Sequence, residues 1–234
     1  MQRLELLAPA RNADIGIEAI NHGADAVYIG GPQYGARAAA GNSLSDIKRL
    51  CKHAHTYGAK VYVTLNTIIY DDELAEVEQL VWELYRIGID ALIVQDMALL
   101  TMNLPPIELH ASTQTDNRTP EKVQFLYDNG FTQVVLAREL SMKEIKEIRK
   151  TIPEELEIEA FIHGSMCVSF SGRCLLSNAL VGRDANRGAC AQPCRWNYTI
   201  REEKRPDIPL PIEEHPDGTF IMSSKDMCTI EHVP

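Results

Sequence analysis

The chain has 234 residues, enough for one large domain with a real core. Its 45% hydrophobic and 24% charged residues are those of an ordinary globular protein, and no apolar run approaches the roughly 18–20 residues that a membrane span needs, so no membrane partner is expected. The net charge of −10 argues against a dedicated nucleic-acid-binding domain, which is usually basic, although a local patch can bind phosphate within an acidic chain.

The N-terminus, MQRLELLAPARN, has no apolar region followed by a small-residue cleavage site. No signal peptide is expected, and the cytoplasm is the expected location. Stable disulfides are rare there, so clustered cysteines point to metal binding or redox chemistry.

The first two thirds alternate strand-like and helix-like segments. LELLAP (4–9) is a short apolar run; Asn12 caps a helix that ends near Gly23. DAVYIGG (25–31) is a second strand. Ser43 caps LSDIKRLCKHAHTYG, in which Leu44, Ile47, Leu50, Cys51 and Ala54 share one face. KVYVTLN (60–66) is a third strand, followed by the acidic helix start DDELAEVEQLVWELYRIG with Leu74, Val77, Leu80, Val81 and Leu84 on its apolar face. ALIVQD (91–96), IELHAST (107–113), TQVVLAR (132–138) and LEIEAFIHG (156–164) are further strands, with helices at 119–129 and 141–150.

Strand–helix alternation implies parallel strands with right-handed crossovers. A doubly wound sheet and a TIM barrel both satisfy it. No G-x-G-x-x-G follows the first strand, and GGPQYG is only a weak relative of that motif, so the barrel is favoured. The expected fold is an α/β, TIM-barrel-like parallel barrel that stops before its eighth strand, with a cysteine-rich insertion after strand seven. Polar residues recur at the strand ends: Arg37, Asn66, Gln95, Asp96, Ser112, Gln114, Arg138 and His163. In a barrel those ends form the active-site face; the plain alternative is that loops begin there.

After Gly164 the rhythm breaks. The expected division is a barrel core at 1–164, a cysteine-rich insertion at 165–204, and an acidic, Pro-rich excursion with a return strand at 205–234. Within the last part GTFIMSS reads as a strand and KDMCTIEHVP as the start of a helix. Cys167, Cys174, Cys190 and Cys194 read C-x6-C-x15-C-x3-C. Four thiolates at this spacing can hold an iron–sulfur cluster or zinc, or can be unligated buried thiols. The spacings are looser than paired zinc knuckles, and the radical-type C-x3-C-x2-C triplet is absent. Cys51 reads as core, and Cys228 is isolated. Arg173, Arg183, Arg187 and Arg195 give this acidic chain a local positive patch, either simply solvated or suited to carboxylates and phosphates. His163, four residues before Cys167, is a satisfied structural residue or a proton carrier. Neither H-E-x-x-H nor G-x-S-x-G is present.

The blocks ELLAPA, GADAVYIGG, HASTQ, EAFIHGSMCVSFSGRCLLS, RDANRGACAQPCRW and GTFIMSSKD resemble those of the U32 peptidase-like family. The last two are most similar to its tRNA 5-hydroxyuridine branch. The resemblance implies a barrel that continues past SKD into a K-I-E-G-R strand, which this sequence lacks. It also implies a [4Fe–4S] cluster held by Cys167, Cys174, Cys190 and Cys194, and oxygen-independent hydroxylation of the wobble uridine in a tRNA anticodon loop, with prephenate as the oxygen source. His163, His110, Gln114 and Arg173 are the candidate catalytic residues; Arg173 is assigned to holding a small dicarboxylate or RNA phosphates, and His163 to managing a proton. Two other readings are a collagenase-like U32 peptidase and a non-catalytic, zinc-stabilised RNA-binding protein.

Overall fold

Seven strands form one parallel sheet in strict chain order: β1 (Leu7–Ala10), β2 (Ala26–Gly30), β3 (Lys60–Leu65), β4 (Ala91–Val94), β5 (Glu108–Ala111), β6 (Gln133–Val135) and β7 (Glu157–Glu159). This computed structural model describes residues 4–36, 41–202, 205–211 and 226–228; Arg37 and the GTFIMSS segment lie outside them. An order of neighbours that never reverses has no switch point, so the winding is that of a barrel and not of a doubly wound sheet. Among the described residues β1 pairs only with β2 and β7 only with β6, leaving an open half-barrel. No helix among the described residues is long and apolar enough to cross a membrane.

The helices form where the sequence supplies their ends. Asn12 accepts the Ile15 N–H at 2.9 Å and starts α1 (Ala13–Asn21). Ser43 caps α2 (Leu44–Thr56), and α3 (Leu74–Ile87) ends on Gly88 at φ 91°. Thr119 and Pro120 open α4 (Pro120–Asp128), and a reciprocal Ser141–Glu144 box opens α5 (Met142–Thr151). Their apolar faces pack on the outward residues of the sheet, with Ile47, Leu50, Val77, Val81 and Leu84 fully buried against Val27, Val61, Val63 and Leu92. Cys51 belongs to this core, and burial pushes its thiol up to about 12.

The alternate residues of the same strands line the inner face. Ala26, Tyr62, Ala91 and Ile93 form its apolar part, with Leu7 and Tyr28 beside them. Polar groups surround this patch. The Tyr62 hydroxyl donates to Glu5 at 2.8 Å, Lys60 pairs with Glu5 at 3.3 Å, and Gln133 donates to Glu159 at 2.9 Å. His110 stands edge-on to Tyr62, with ring centroids 4.7 Å apart.

Strand seven is shorter than its apolar run. The last rung of the ladder between β6 and β7 is the Leu136 N–H to the Glu159 carbonyl at 2.9 Å. The chain leaves the sheet, and His163–Ser165 becomes β8, antiparallel to β11 (Asp226–Cys228) with His163 opposite Cys228. Asp226–Cys228, expected to begin a helix, is held as a strand by that pairing. A second ribbon joins β9 (Thr199–Glu202) to β10 (Arg205–Pro211), so part of the Pro-rich excursion is paired.

Between β8 and β9 the chain runs back across the C-terminal ends of the sheet. Gly172, at φ 76°, passes so close to the Gln114 carbonyl that a Cβ there would overlap it. Ser171 is buried and donates its N–H and hydroxyl to Glu139, each at 3.2 Å. On the other side Arg187 grips Glu73 with two bonds of 2.6 and 2.8 Å, also donates to the Ile68 carbonyl, and lies over Tyr70. Gly188, at φ 79°, packs on the backbone of Gly35 and Ala36.

This docking can be tested with two glycines. Gly182 also has φ > 0, at 66°, but nothing lies within 4 Å of where its Cβ would be. Gly182→Ala should cost about 1 kcal/mol in urea denaturation, from the backbone alone. Gly172→Ala should cost about 3 kcal/mol or more, because Gln114 must also move; equal costs would contradict the contact.

The inner face predicts an opposed pH response. Burial lowers the His110 pKa to about 4 and raises that of Glu159 to about 7. His110 therefore contributes stability that is lost as pH falls from its unfolded value towards 4, whereas Glu159 contributes stability that is lost as pH rises towards 7. Glu159→Gln should leave stability rising between pH 4 and 6.5, and His110→Asn should leave it falling between pH 4.5 and 7. Parallel denaturation profiles for the two variants would refute the opposition.

Candidate site at the barrel mouth

The polar residues at the strand ends mostly hold loops. Asn66 accepts the Ala36 N–H at 2.8 Å and donates to Ser112 at 3.2 Å. Asp96 accepts from the N–H groups of Ile69 and Ala98, both at 2.9 Å. Asn117, fully buried, donates to the carbonyls of Ser112 and Val135 at 2.9 and 2.8 Å. The plain reading of strand-end polarity therefore fits Asn66, Asp96 and Ser112. Gln95 and Arg138 differ: Oε1 of the first and Nε of the second are buried with no hydrogen-bond partner among the described residues.

Over this floor lie the cysteines. Cys167 and Cys190 are exposed, Cys174 and Cys194 half-buried, and all four are free thiols. Several bonds draw their backbone together. Arg195, next to Cys194, donates to the Met166 carbonyl beside Cys167 at 3.3 Å. Asn186 donates to the Cys174 carbonyl at 3.5 Å, and Ala191 N–H to Ser177 at 3.0 Å. Gln192, at φ 55°, turns its N–H onto the Cys190 sulfur at 3.3 Å. The Cys194 thiol is raised above its ordinary range first by burial and then by the charges of Cys167, Cys190 and Cys174, with Arg195 opposing. Cys194 thus lies within electrostatic reach of the other three cysteines. Among the described residues no three His, Cys, Asp or Glu side chains are grouped as ligands of one ion. The donor set nonetheless fits a thiolate-bound metal or cluster: four unpaired thiols on one loop-rich segment.

Beside the cysteines is a cleft of about 230 Å³ lined by Thr115, Asp116, Arg118, Thr119, Lys122 and Arg173. Asp116, at φ 61° and with its side chain only 12% exposed, bonds Arg118 at 2.5 and 3.1 Å and Arg173 at 2.5 Å. One carboxylate thus aims two guanidiniums, and Arg118 also lies 4.0 Å above the Phe170 ring.

The four candidate catalytic residues separate. Arg173 lines the cleft, next in sequence to Cys174. Gln114 lies directly beneath Gly172, its N–H bonded to Ser112 at 3.2 Å. His163 does not end a barrel strand; it is exposed on β8. His110 lies inside the half-barrel, almost wholly buried, with its Nδ1 lacking a partner among the described residues. Asp116, Arg118, Lys122 and Glu139 were not identified from the sequence. The only sequence signal was D-x-R just after the fifth strand, and the close approach of Arg173, 55 positions later, is what gives it meaning.

The chain is similar to several known proteins. The 23S rRNA 5-hydroxycytidine C2501 synthase of Escherichia coli (strain K12) is 58% identical over 202 residues, covering 86% of this chain and 31% of that protein. The tRNA hydroxylation protein P1 of Bacillus subtilis (strain 168) is 40% identical over 235 residues, covering 98% of this chain and 55% of the relative. The chain thus spans between about a third and a little over half of these relatives. Among solved structures, that of the U32 peptidase Mk0906 superposes with a TM-score of 0.62 at 12% identity, over 89% of this chain and 86% of the other, a likeness of fold. The model of Peptidase family U32 matches residues 11–234, and the chain belongs to that family.

Proposed function

We propose that this chain carries the catalytic half-barrel of an oxygen-independent RNA hydroxylase that places a hydroxyl on C5 of a pyrimidine. The observation that supports it most is that Cys167, Cys174, Cys190 and Cys194 are free thiols on one segment, each of the other three within electrostatic reach of Cys194, and that Arg173, next to Cys174, lines a cationic cleft. In this reading the four cysteines hold a [4Fe–4S] cluster, with zinc as the substitute when iron is lost. Bound there, a cluster supplies electrons or a Lewis-acidic iron for an oxygenated donor. The donor we propose is prephenate, a dicarboxylate.

The protein's own groups have separable tasks. Arg173 and Arg118, fixed by Asp116, present guanidinium faces to carboxylates or RNA phosphates. Arg187 keeps the segment seated and holds the Glu73 carboxyl below its ordinary range by hydrogen bonding. Half-buried Gln95 and Arg138 each offer one buried polar atom without a partner among the described residues at the strand ends, where a substrate's polar groups would satisfy them. His163 remains the candidate proton carrier, while His110, neutral at pH 7, can act only from inside the half-barrel.

Two targets follow from the relatives. The sequence blocks imply the tRNA wobble uridine in the anticodon loop. The 58% identity to a 23S rRNA hydroxycytidine synthase, against 40% to a tRNA hydroxylation protein, favours a ribosomal cytidine. Either base can leave its stack cheaply when it lies in a loop.

Mass spectrometry of nucleosides from a deletion strain separates these targets. Loss of 5-hydroxycytidine from 23S rRNA, restored by the wild-type gene and not by Cys174→Ser, is the expected result. Loss of 5-hydroxyuridine from tRNA instead would move the target. Unchanged nucleosides in both RNAs, with peptide hydrolysis that survives Cys190→Ser, would replace the hydroxylase by a peptidase.

A further inference from the structure

We propose that the ledge formed by Phe125, Lys122, Arg118, Phe170 and Arg173 is a track for single-stranded RNA, with one backbone phosphate in the cleft and a base stacked on Phe170. The inference rests on the RNA-modifying reading above and names the surface that would hold the substrate.

Charge is the first argument. In a chain of net charge −10, this cleft brings three cations against one carboxylate. That carboxylate, Asp116, does not simply cancel them: it is the pivot that points Arg118 and Arg173 into the same space, and the Arg173 side chain stays 65% exposed. Lys122 enters from the first turn of α4. The volume, about 230 Å³, suits a phosphate group and is too small for a whole nucleotide.

The rings are the second argument, and they favour RNA over a free anion. Phe170 and Phe125 are 54% and 50% exposed, large apolar faces left in water. Each lies against one of the cations: Arg118 is 4.0 Å above Phe170, and Lys122 is 5.4 Å from the centre of Phe125. A small dianion would use the cations and leave both rings without a role. Cations that follow the backbone beside aromatic faces that take bases are the pattern of single-strand binding, and it tolerates any sequence because every base has a π-face. A duplex would hide those faces. Arg173 is followed directly by Cys174, so the track leads to the cysteines.

The test is fluorescence anisotropy of the full-length protein with a labelled, unstructured RNA of about ten nucleotides, titrated with salt from about 50 to 200 mM. Lys122→Gln should weaken binding severalfold for all sequences and lower the slope of log affinity against log salt by about 0.7. Phe170→Leu keeps apolar bulk and should weaken binding about tenfold with the slope unchanged. Thermal melts of both variants check folding, and either variant alone suffices. Wild-type affinity in both, alongside Cys174-dependent hydroxylation, rejects the track and leaves the hydroxylase. The expected losses in a protein whose deletion alters no RNA nucleoside keep the track and reject the hydroxylase. Inorganic phosphate that displaces the RNA, with Phe170→Leu binding as tightly as the wild type, marks a small-anion site and also rejects the track.

Discussion

The site depends on one docking event: the segment after β8 must lie flat across the C-terminal ends of a half-barrel. The sheet supplies a platform but not an active face, because its own strand-end residues are largely occupied in tying loops together. The segment that carries the cysteines is fastened on both sides, by Gly172 on Gln114 and by Arg187 on Glu73. A surface ion pair is ordinarily worth little. The Arg187–Glu73 pair is two-pronged, three-quarters shielded and reinforced by the Ile68 carbonyl and the Tyr70 ring, so it acts as a clamp.

The same geometry places opposite demands on the two ends of the sheet interior. Towards the mouth, positive groups face outward around one pivoting carboxylate. Within the half-barrel, carboxylates share a poorly solvated space with His110 and Tyr62, so burial keeps the imidazole neutral and favours a proton on Glu159. In a chain of net charge −10, the cationic cleft at the mouth is the place where an anion is attracted.

Much of this was legible in the sequence, for physical reasons. Helix starts were readable because Asn12, Ser43, Thr119 and Ser141 cap locally, and the strands because β-branched runs end in glycine or polar residues. Alternation made the strands parallel but left two strand orders open, and the missing G-x-G-x-x-G decided for the barrel order that is found. Strand seven was misread because an apolar run does not reveal where its neighbours stop, and Asp226–Cys228 because a distant partner, β8, decides its conformation. The cysteine quartet stood out by spacing. The Asp116 pivot did not, since a short D-x-R carries no meaning until an arginine from a distant loop arrives. His110 was named as a catalytic candidate, and only its place within β5, one residue before the strand's end, shows that it lies inside the half-barrel.

The central claim is that these four sulfurs share one inorganic centre. Full-length protein purified without oxygen and analysed for metal and absorbance addresses it most directly. The account predicts about four irons per chain with a broad band near about 400 nm, both lost when Cys194 is changed to Ser. A colourless protein holding a single zinc, or iron that survives that substitution undiminished, would contradict it.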